Sequence, residues 1–341
     1  MTLGTIADIV PIVEENRVLV KYGLRELTRT AAPGLLALKS VSGVSDVSTS
    51  TVGFRLAPRL NAGGRLSDAA RSVELLTTDD PSRAQQLAAE LDQENRARQL
   101  IEQEILEDAV RRVEADAELA HRRSIALASE DWHPGVIGIV ASRLVERFYR
   151  PTVLIAIDTA TAVGRGSGRS IHGFNLYEAI KTCRETLLGF GGHRMAAGLS
   201  IHRDQVRDFC TQFESAVHAA TRPEDFQQRS LVDAELPFDA VNDSLLAELA
   251  QLEPHGPGNA QPVFLSRGVT VVSRRCVGDK HLKLHLRQGN RVLAAIGFGM
   301  AEAPIDAGNR LDVLFSPEPD DWNGSTSIQL RLRDVRPGHP A

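Results

Sequence analysis

The feature that most limits the fold of this 341-residue chain is a long segment with uninterrupted helical spacing. After Asp80-Pro81, a pair that favours a helix start, apolar residues keep helical intervals as far as Val113 with no Gly or Pro between them. About thirty residues of helix span about 45 Å, which is too long to pack inside one small domain. The segment therefore predicts a helix that connects two domains.

Composition allows two or three folded domains and restricts the partners that they can bind. Hydrophobic residues make up 42% and charged residues 24% of the chain, as in ordinary globular proteins. The net charge of -5 argues against a surface that coats nucleic acid uniformly, so a polyanion would need a local basic groove.

Cysteine spacing and hydropathy indicate in which cellular compartment the protein acts. Cys183, Cys210 and Cys276 lie far apart and form no Cys-x-x-Cys pair, which favours a reducing compartment and argues against a structural zinc site. No apolar run reaches the length of a membrane span, and no basic segment precedes the first apolar residues. We therefore expect no membrane contact and a cytoplasmic location.

Two glycine-rich stretches predict close contact with an anion. They run from Gly164 to Ser170 and from Gly189 to Gly198. Glycine permits positive φ and lets backbone N–H groups approach a phosphate, while Ser167 adds a hydroxyl and Arg169 a planar fork. Neither stretch has the spacing of a Walker motif or of a dinucleotide-binding motif. A plain glycine-rich turn between a strand and a helix is the alternative.

A third candidate lies between Phe54 and Leu66, where arginines flank the pair Gly63-Gly64. Arg65 beside these glycines again offers a bidentate fork and close backbone approach to a phosphate, and Asn61 lies next to them. A surface loop with solvated arginines explains the same pattern.

The first residues form an apolar run around one carboxylate, Asp8. A buried strand with an aspartate at its end is one way to present a metal ligand at the edge of a sheet. A short helix or turn that Asp8 caps is the alternative.

The middle of the chain predicts a βαβ unit. Apolar strands at 124–128 and 152–157 flank a helix that begins near Val136, which favours a parallel pair. His133 precedes that helix, where free N–H groups favour an anion, although a capping or packing histidine is common there. Asn175 and Glu178 predict the start of a further helix.

From about Leu231 the sequence predicts only strands. Three leucines alternate with basic residues between His281 and Arg287, and Gly289-Asn290 predicts a hairpin turn. A cationic strand face that carries Lys283 and Arg287 suits a small oligonucleotide-binding (OB) barrel. A solvated sheet face is the alternative.

Six blocks taken in order resemble the RecJ family of single-strand-specific exonucleases, in the DHH phosphoesterase superfamily. The blocks are residues 5–8, 59–65, 132–138, 166–170, 191–198 and 277–282. The resemblance covers nearly the whole chain, and six blocks in one order are far more specific than any single block.

The resemblance implies an α/β protein of four parts. They are a remnant of the DHH catalytic domain at 1–80, a connecting helix at 81–115, a DHH-associated α/β substrate-binding domain at 116–222 and an OB-fold nucleic-acid-binding domain at 229–337.

The resemblance also implies an activity, a 5′-3′ exonuclease of DNA repair and recombination that uses Mn²⁺ or Mg²⁺. Its partners would be single-stranded DNA with a 5′ end and a single-strand-binding protein or helicase. By the same resemblance Asp8 is a catalytic metal ligand, and His133 and His193 line the catalytic cleft. The resemblance further implies that Arg65, Ser167 and Arg169 hold the terminal 5′ phosphate and the adjoining backbone. Asn61, Lys283 and Arg287 are further substrate-binding candidates, from the residue patterns described above.

The chain departs from the family in one important respect, because the Asp-x-Asp and Asp-His-His motifs occur nowhere in it. One aspartate cannot hold two cations, so we expect the C-terminal part of such an enzyme, inactive by itself. Gly63 stands where the family pattern has alanine, a departure without functional weight.

Two other functions stay open. A DHH-type phosphoesterase that acts on short oligonucleotides or cyclic dinucleotides would not need the C-terminal barrel. A non-catalytic module that binds single-stranded nucleic acid is favoured by the missing ligands if Met1 is a true start.

Overall fold

The structure is a computed structural model that describes residues 1–320 and 327–338. One turn of π-helix spans Val52–Leu56. The α-helices are α1 (Thr2–Ala7), α2 (Glu14–Arg29), α3 (Pro33–Ser42), α4 (Thr49–Thr51), α5 (Ala57–Leu66), α6 (Ala70–Thr77), α7 (Pro81–Ala115), α8 (Ala117–His121), α9 (Ile137–Phe148), α10 (Leu176–Thr182), α11 (Val206–Ala220) and α12 (Asp243–Ala250).

The described strands all lie after residue 124. They are β1 (Ile125–Ser129), β2 (Thr152–Asp158), β3 (Val163–Arg169), β4 (Gly189–Gly192), β5 (Ala196–His202), β6 (Ala234–Glu235), β7 (Phe264–Val277), β8 (His281–Gln288), β9 (Arg291–Gly297), β10 (Arg310–Asp320) and β11 (Ser327–Pro337).

The chain folds into two compact units that are discontinuous in sequence. The barrel unit comprises Met1–Arg29, Asp46–Gly53 and the chain from Ser230 onward. The sheet unit comprises Thr30–Ser45 and Phe54–Arg229.

The long helix is confirmed as α7, whose 35 residues begin at Pro81. Asp80 caps it by accepting a hydrogen bond from the Ser82 N–H at 2.8 Å. The first half of α7 packs on α3, α5 and α6, and its second half contributes Ile105 and Ala109 to the core beneath β1 and α9. Within the sheet unit, α7 thus joins a helical layer to a sheet layer.

The sheet of this unit has the strand order β1-β2-β3-β5-β4. Strands β1 and β2 are parallel and α9 connects them, so the βαβ prediction is confirmed. The other neighbours pair antiparallel. The predicted cap of α10 is also present, since the Asn175 side chain accepts from the Glu178 N–H at 3.3 Å.

The stretch 164–170 is not the glycine-rich turn that the sequence allowed, because residues 164–169 lie in β3 in the middle of the sheet. A Cβ on Gly164 would lie 2.7 Å from Ile155, and one on Gly166 would lie 2.6 Å from Leu199. Neither of these glycines has a positive φ. They are needed because the core leaves no room for a side chain, so positive φ is not the reason for them.

The barrel unit contains the expected closed barrel. Strands β7, β8, β9, β11 and β10 follow one another, and β10 pairs again with β7, so that five strands close. The predicted hairpin at Gly289 joins β8 to β9. Leu282, Leu284 and Leu286 face the core, as their alternation predicts. The strand-only prediction missed α12, whose N-terminus Asn242 caps.

Two further stretches are helical, and for Asp8 the alternative of a short helix that it caps is the one observed. The run around Asp8 is α1, a helix of six residues, with Asp8 exposed at its C-terminal end. The arginine-rich stretch before Leu66 is α5 rather than a loop. Gly63 in α5 is buried, and a Cβ there would lie 2.9 Å from the Asp68 carbonyl oxygen. Of the helices that the structure describes, none is both long and apolar enough to cross a membrane.

Tight packing behind β3 gives a testable result. Gly166→Ala should lower the free energy of unfolding by about 1–3 kcal/mol, because the added methyl group overpacks the core against Leu199. Urea unfolding measures the change. Gly191→Ala in β4, where a Cβ would meet nothing within 4 Å, is the matched control. An equal loss of stability in both variants would contradict this account of β3.

Candidate nucleic-acid interface

Ser167 and Arg169 lie on the face of β3 that α9 covers. Arg169 Nη1 donates to Ser167 Oγ at 3.1 Å and to the Gly168 carbonyl oxygen at 2.8 Å, which fixes the guanidinium. A Cβ on Gly138, in the first turn of α9, would lie 2.9 Å from Ser167 Oγ and 3.1 Å from Arg169 Nη2. The helix start therefore packs directly over both polar groups.

Arg65 reaches the same place from α5. Its Nη1 donates to the Gly135 carbonyl oxygen at 3.2 Å. A Cβ on Gly135 would collide with the Arg65 carbonyl oxygen and lie 3.2 Å from His133 Cε1. We name Arg65, His133, Ser167 and Arg169, with the start of α9, the anion site.

Two glycines of this site, Gly135 and Gly138, were not identified from the sequence as functional positions. Gly135 and Gly138 belong to the block 132–138, but only its histidine was assigned a role. Their spacing around a helix start was the available signal, because close approach of three elements requires positions without Cβ.

His133 is held in one orientation. Its Nδ1 accepts a hydrogen bond from the Gly135 N–H at 3.1 Å, so in the neutral ring Nε2 carries the proton and can donate. The neighbouring Trp132 anchors this segment, because its Nε1 donates to Asp108 Oδ2 on α7 at 3.1 Å.

The electrostatics of the anion site favour a negative ligand. Burial lowers the pKa of Arg169, and the like charge of Arg65 lowers it further. Among the described residues, no carboxylate forms an ion pair with Arg65 or Arg169. The N-terminus of α9 adds free N–H groups and a positive dipole end. An anion would offset the repulsion between the two guanidinium groups.

The remaining sequence candidates of the sheet unit lie near this site or at its edge. Asn61 is exposed on α5, one turn before Arg65. His193 is exposed in the turn between β4 and β5. That turn adjoins the end of β3, because the Ser170 N–H donates to the Met195 carbonyl oxygen at 3.0 Å.

The barrel unit presents a second basic surface on β8. Arg287 is exposed, while Lys283 Nζ lies 3.8 Å from Asp320 Oδ2. His285 shares a hydrogen bond with Ser273 at 2.8 Å. The polar side chains alternate with buried leucines, as the sequence predicted.

Phe298 is a residue of this surface that the sequence interpretation missed. Its ring is 50% exposed, packs edge-on against His281 at 5.1 Å and lies 5.2 Å from the Arg331 guanidinium. An exposed aromatic ring among cations is the arrangement on which a nucleobase stacks. The signal was available, because Phe298 directly follows the alternating residues of β9. We call Phe298, His281, Lys283, Arg287 and Arg331 the barrel surface.

The described residues do not fit the implied metal site. No group of three His, Cys, Asp or Glu side chains among them is arranged to hold a metal ion. Asp8, the predicted ligand, is exposed and offers one carboxylate, whereas two-metal hydrolysis needs several ligands. No step of hydrolysis is therefore assigned to these residues.

Two family models match the chain. The DHHA1 domain matches residues 122–219, and the RecJ OB domain matches residues 232–334. These matches define the class, a protein with a DHHA1 domain followed by an OB domain.

Curated proteins with similar sequences are RecJ exonucleases. The single-stranded-DNA-specific exonuclease RecJ of Bacillus subtilis is 37% identical over 339 residues, and that of Thermus thermophilus is 34% identical over 334 residues. Each alignment covers 98% of this chain but only 43% and 47%, respectively, of the relative. This chain is similar to these exonucleases over nearly its whole length and spans about half the length of the relatives.

Solved structures of RecJ match the fold over nearly the whole of this chain. The crystal structure of Thermus thermophilus RecJ in complex with Mg²⁺ matches with a TM-score of 0.86 at 31% identity, over 99% of this chain and 52% of that chain. The Mn²⁺ complex matches with the same TM-score over 49% of that chain.

The anion site predicts unequal roles for two arginines of β3. Arg169→Ala should weaken binding of a 5′-phosphorylated oligonucleotide by about 1.5–3 kcal/mol, because a charge-assisted fork is lost. Arg165→Ala is the control. Arg165 lies on the same face of β3 as Arg169, but its side chain is exposed and lies at the other end of the strand. Fluorescence anisotropy measures both affinities. Equal effects of the two substitutions would remove the special role of Arg169.

The barrel surface predicts two separable effects on single-stranded DNA. Replacing Lys283 and Arg287 together by alanine should flatten the slope of log affinity against log salt by up to about two phosphate contacts. Phe298→Ala should cost about 1–3 kcal/mol and leave that slope unchanged, because stacking releases no counterions. Arg336→Ala, at an exposed position paired with Asp334, is the control. A salt slope that the double variant does not change would indicate a merely solvated surface.

Proposed function

We propose that this chain is the strand-holding part of a 5′-3′ exonuclease specific for single-stranded DNA. The observation that carries the proposal is the convergence of Arg65, Arg169 and Ser167 beneath the start of α9, without a carboxylate partner for either arginine among the described residues. The names of the relatives, single-stranded-DNA-specific exonucleases, support the substrate and the reaction class.

In this proposal the anion site holds the terminal 5′ phosphate. Arg169 presents a fork that Ser167 and the Gly168 carbonyl oxygen keep in place. Arg65 approaches from α5, and His133 can donate from Nε2. A terminal phosphate carries nearly two negative charges at neutral pH, whereas an internal phosphodiester carries one. Two unpaired guanidinium groups therefore favour a strand end over a strand interior.

The barrel surface holds single-stranded DNA away from its end. Lys283, Arg287 and Arg331 supply charge, and Phe298 supplies a ring for stacking. Stacking tolerates any base sequence, because every base has a π face. Both properties suit an enzyme that degrades strands without regard to sequence.

Metal binding is left to the part of the RecJ relatives that this chain does not span. The matched crystal structures contain Mg²⁺ or Mn²⁺, which supports one of these ions as the cofactor of the complete enzyme. Asp8 as one metal ligand, with His133 and His193 lining the catalytic cleft, belongs to the same proposal.

The proposal includes a place in DNA repair and recombination, a cytoplasmic location, and a single-strand-binding protein or helicase as protein partner. Three free cysteines support a reducing compartment. Resemblance to the RecJ family supports the repair role and the protein partner.

The absence of a metal cluster among the described residues favours a second candidate for the isolated chain, a binding module without activity. We therefore expect the purified chain to bind 5′-phosphorylated single-stranded DNA and to leave it uncut in the presence of Mn²⁺, because no pair of held cations generates a hydroxide near neutral pH. Anisotropy measures binding, and a denaturing gel measures cleavage.

Thermus thermophilus RecJ assayed with the same oligonucleotide is the positive control for cleavage. Cleavage by the isolated chain that Asp8→Ala leaves intact would refute both the expected inactivity and the metal role of Asp8. If the purified chain does not bind the oligonucleotide, the strand-holding role is refuted.

A further inference from the structure

A buried polar belt crosses the middle of α7. Asp92, Asn95, Arg98 and Glu102 follow one another at helical spacing and are all buried, with Arg98 8% and Glu102 5% exposed. Apolar residues flank the belt on both sides, Leu87 and Leu91 before it and Ile105 and Ala109 after it. Leucines in its place would bury more apolar surface without the cost of desolvating charges.

Glu102 is the centre of this belt. Its Oε2 accepts from Arg98 Nη1 at 2.9 Å, and its Oε1 accepts from Arg143 Nε of α9 at 2.5 Å. Asn95 Oδ1 accepts from Arg98 Nη2 at 3.1 Å. The carboxylate thus ties α7 to the helix whose first turn covers Ser167 and Arg169.

Helix α9 joins the belt to the anion site, because its Arg143 pairs with Glu102 and its first turn packs over Ser167 and Arg169. Burial lowers the pKa of Arg98, Glu102 opposes that effect, and the like charges of Arg65 and Arg143 lower it further. Arg65 also repels Arg169. Arg98, Arg143, Arg65 and Arg169 therefore form one group of four guanidinium charges. Among the described residues, Arg98 and Arg143 pair with Glu102, and Arg65 and Arg169 pair with no carboxylate.

Four positive charges against one carboxylate leave a formal surplus of three. Arg98 contributes to this surplus from a buried position, where water screens its field less than it screens the field of a surface arginine. Its guanidinium already donates to Glu102 and Asn95, so its fixed position does not depend on a ligand.

We propose that Arg98 is a specificity-determining residue of the anion site, which acts through its charge to favour a phosphate dianion at the strand end. Glu102 holds Arg98 in place and moderates the surplus of charge. This role rests on the proposed function, because it presumes that the anion site receives a 5′ phosphate. Arg98 lies outside the set of residues that contact the phosphate.

The experiment measures one ratio, the affinity for a 5′-phosphorylated oligonucleotide divided by the affinity for the same oligonucleotide with a 5′ hydroxyl. Arg98→Met should lower this ratio by about fivefold to tenfold, because one buried charge is lost near a dianion. Arg98→Lys should restore most of it. Glu102→Gln keeps the hydrogen-bond acceptor for Arg98 but removes the negative charge, so it should raise the ratio.

These opposite signs separate an electrostatic role from a structural one. A purely structural pair would lower thermal stability in the Arg98→Met and Glu102→Gln variants and leave the ratio unchanged, or lower it in both, and either outcome overturns the proposal. If Arg98→Met does not fold, the affinity ratio of Glu102→Gln still tests the proposal, because only the electrostatic role predicts that it rises. Arg147→Met is the matched control, because Arg147 of α9 pairs with Glu114 of α7 at 2.7 Å in an exposed position.

Arg169→Ala separates failure of this inference from failure of the proposed function. If Arg169→Ala lowers the ratio and Arg98→Met does not, the site binds the phosphate and Arg98 has no part in it. If neither variant changes the ratio, the site does not receive a 5′ phosphate at all.

Discussion

Close packing on one face of β3 is the constraint on which the sheet unit depends. Gly164 and Gly166 have no space for a Cβ, because Ile155 and Leu199 fill it, and a Cβ on Gly168 would lie tightly against Leu176 at 3.0 Å. The strand therefore has a smooth side that seals the core and a functional side that carries Ser167 and Arg169. A rigid central strand holds these groups more accurately than a loop would, since its two neighbours fix its backbone along the whole length.

The predictions that held concern local patterns. Helical periodicity and an aspartate cap were sufficient for α7, and alternation was sufficient for the leucines of β8. The glycines of β3 were misinterpreted, because a sequence does not distinguish a glycine that needs positive φ from one that must be small. Asp8 follows a helix rather than a strand for a similar reason, since a short apolar run suits both.

Part of the candidate site could be predicted, because arginine and serine beside glycine indicate an anion whatever the backbone does. The ion pair that joins the belt to α9 could not be predicted, since Glu102 and Arg143 are far apart in sequence and meet only when α9 packs on α7. The belt did leave a trace in the sequence. Between Leu91 and Ile105, positions that helical spacing assigns to the core carry Asn95, Arg98 and Glu102.

Helix α7 serves two hydrophobic cores, one in the helical layer and one beneath the sheet. If α7 separated from either layer, apolar residues of that layer would be exposed to water. The two layers should therefore unfold together in one cooperative transition. Its central amides should exchange with solvent only through global unfolding of the sheet unit. Local unfolding should therefore not disturb the anion site between the layers, and its geometry should persist for as long as the sheet unit stays folded.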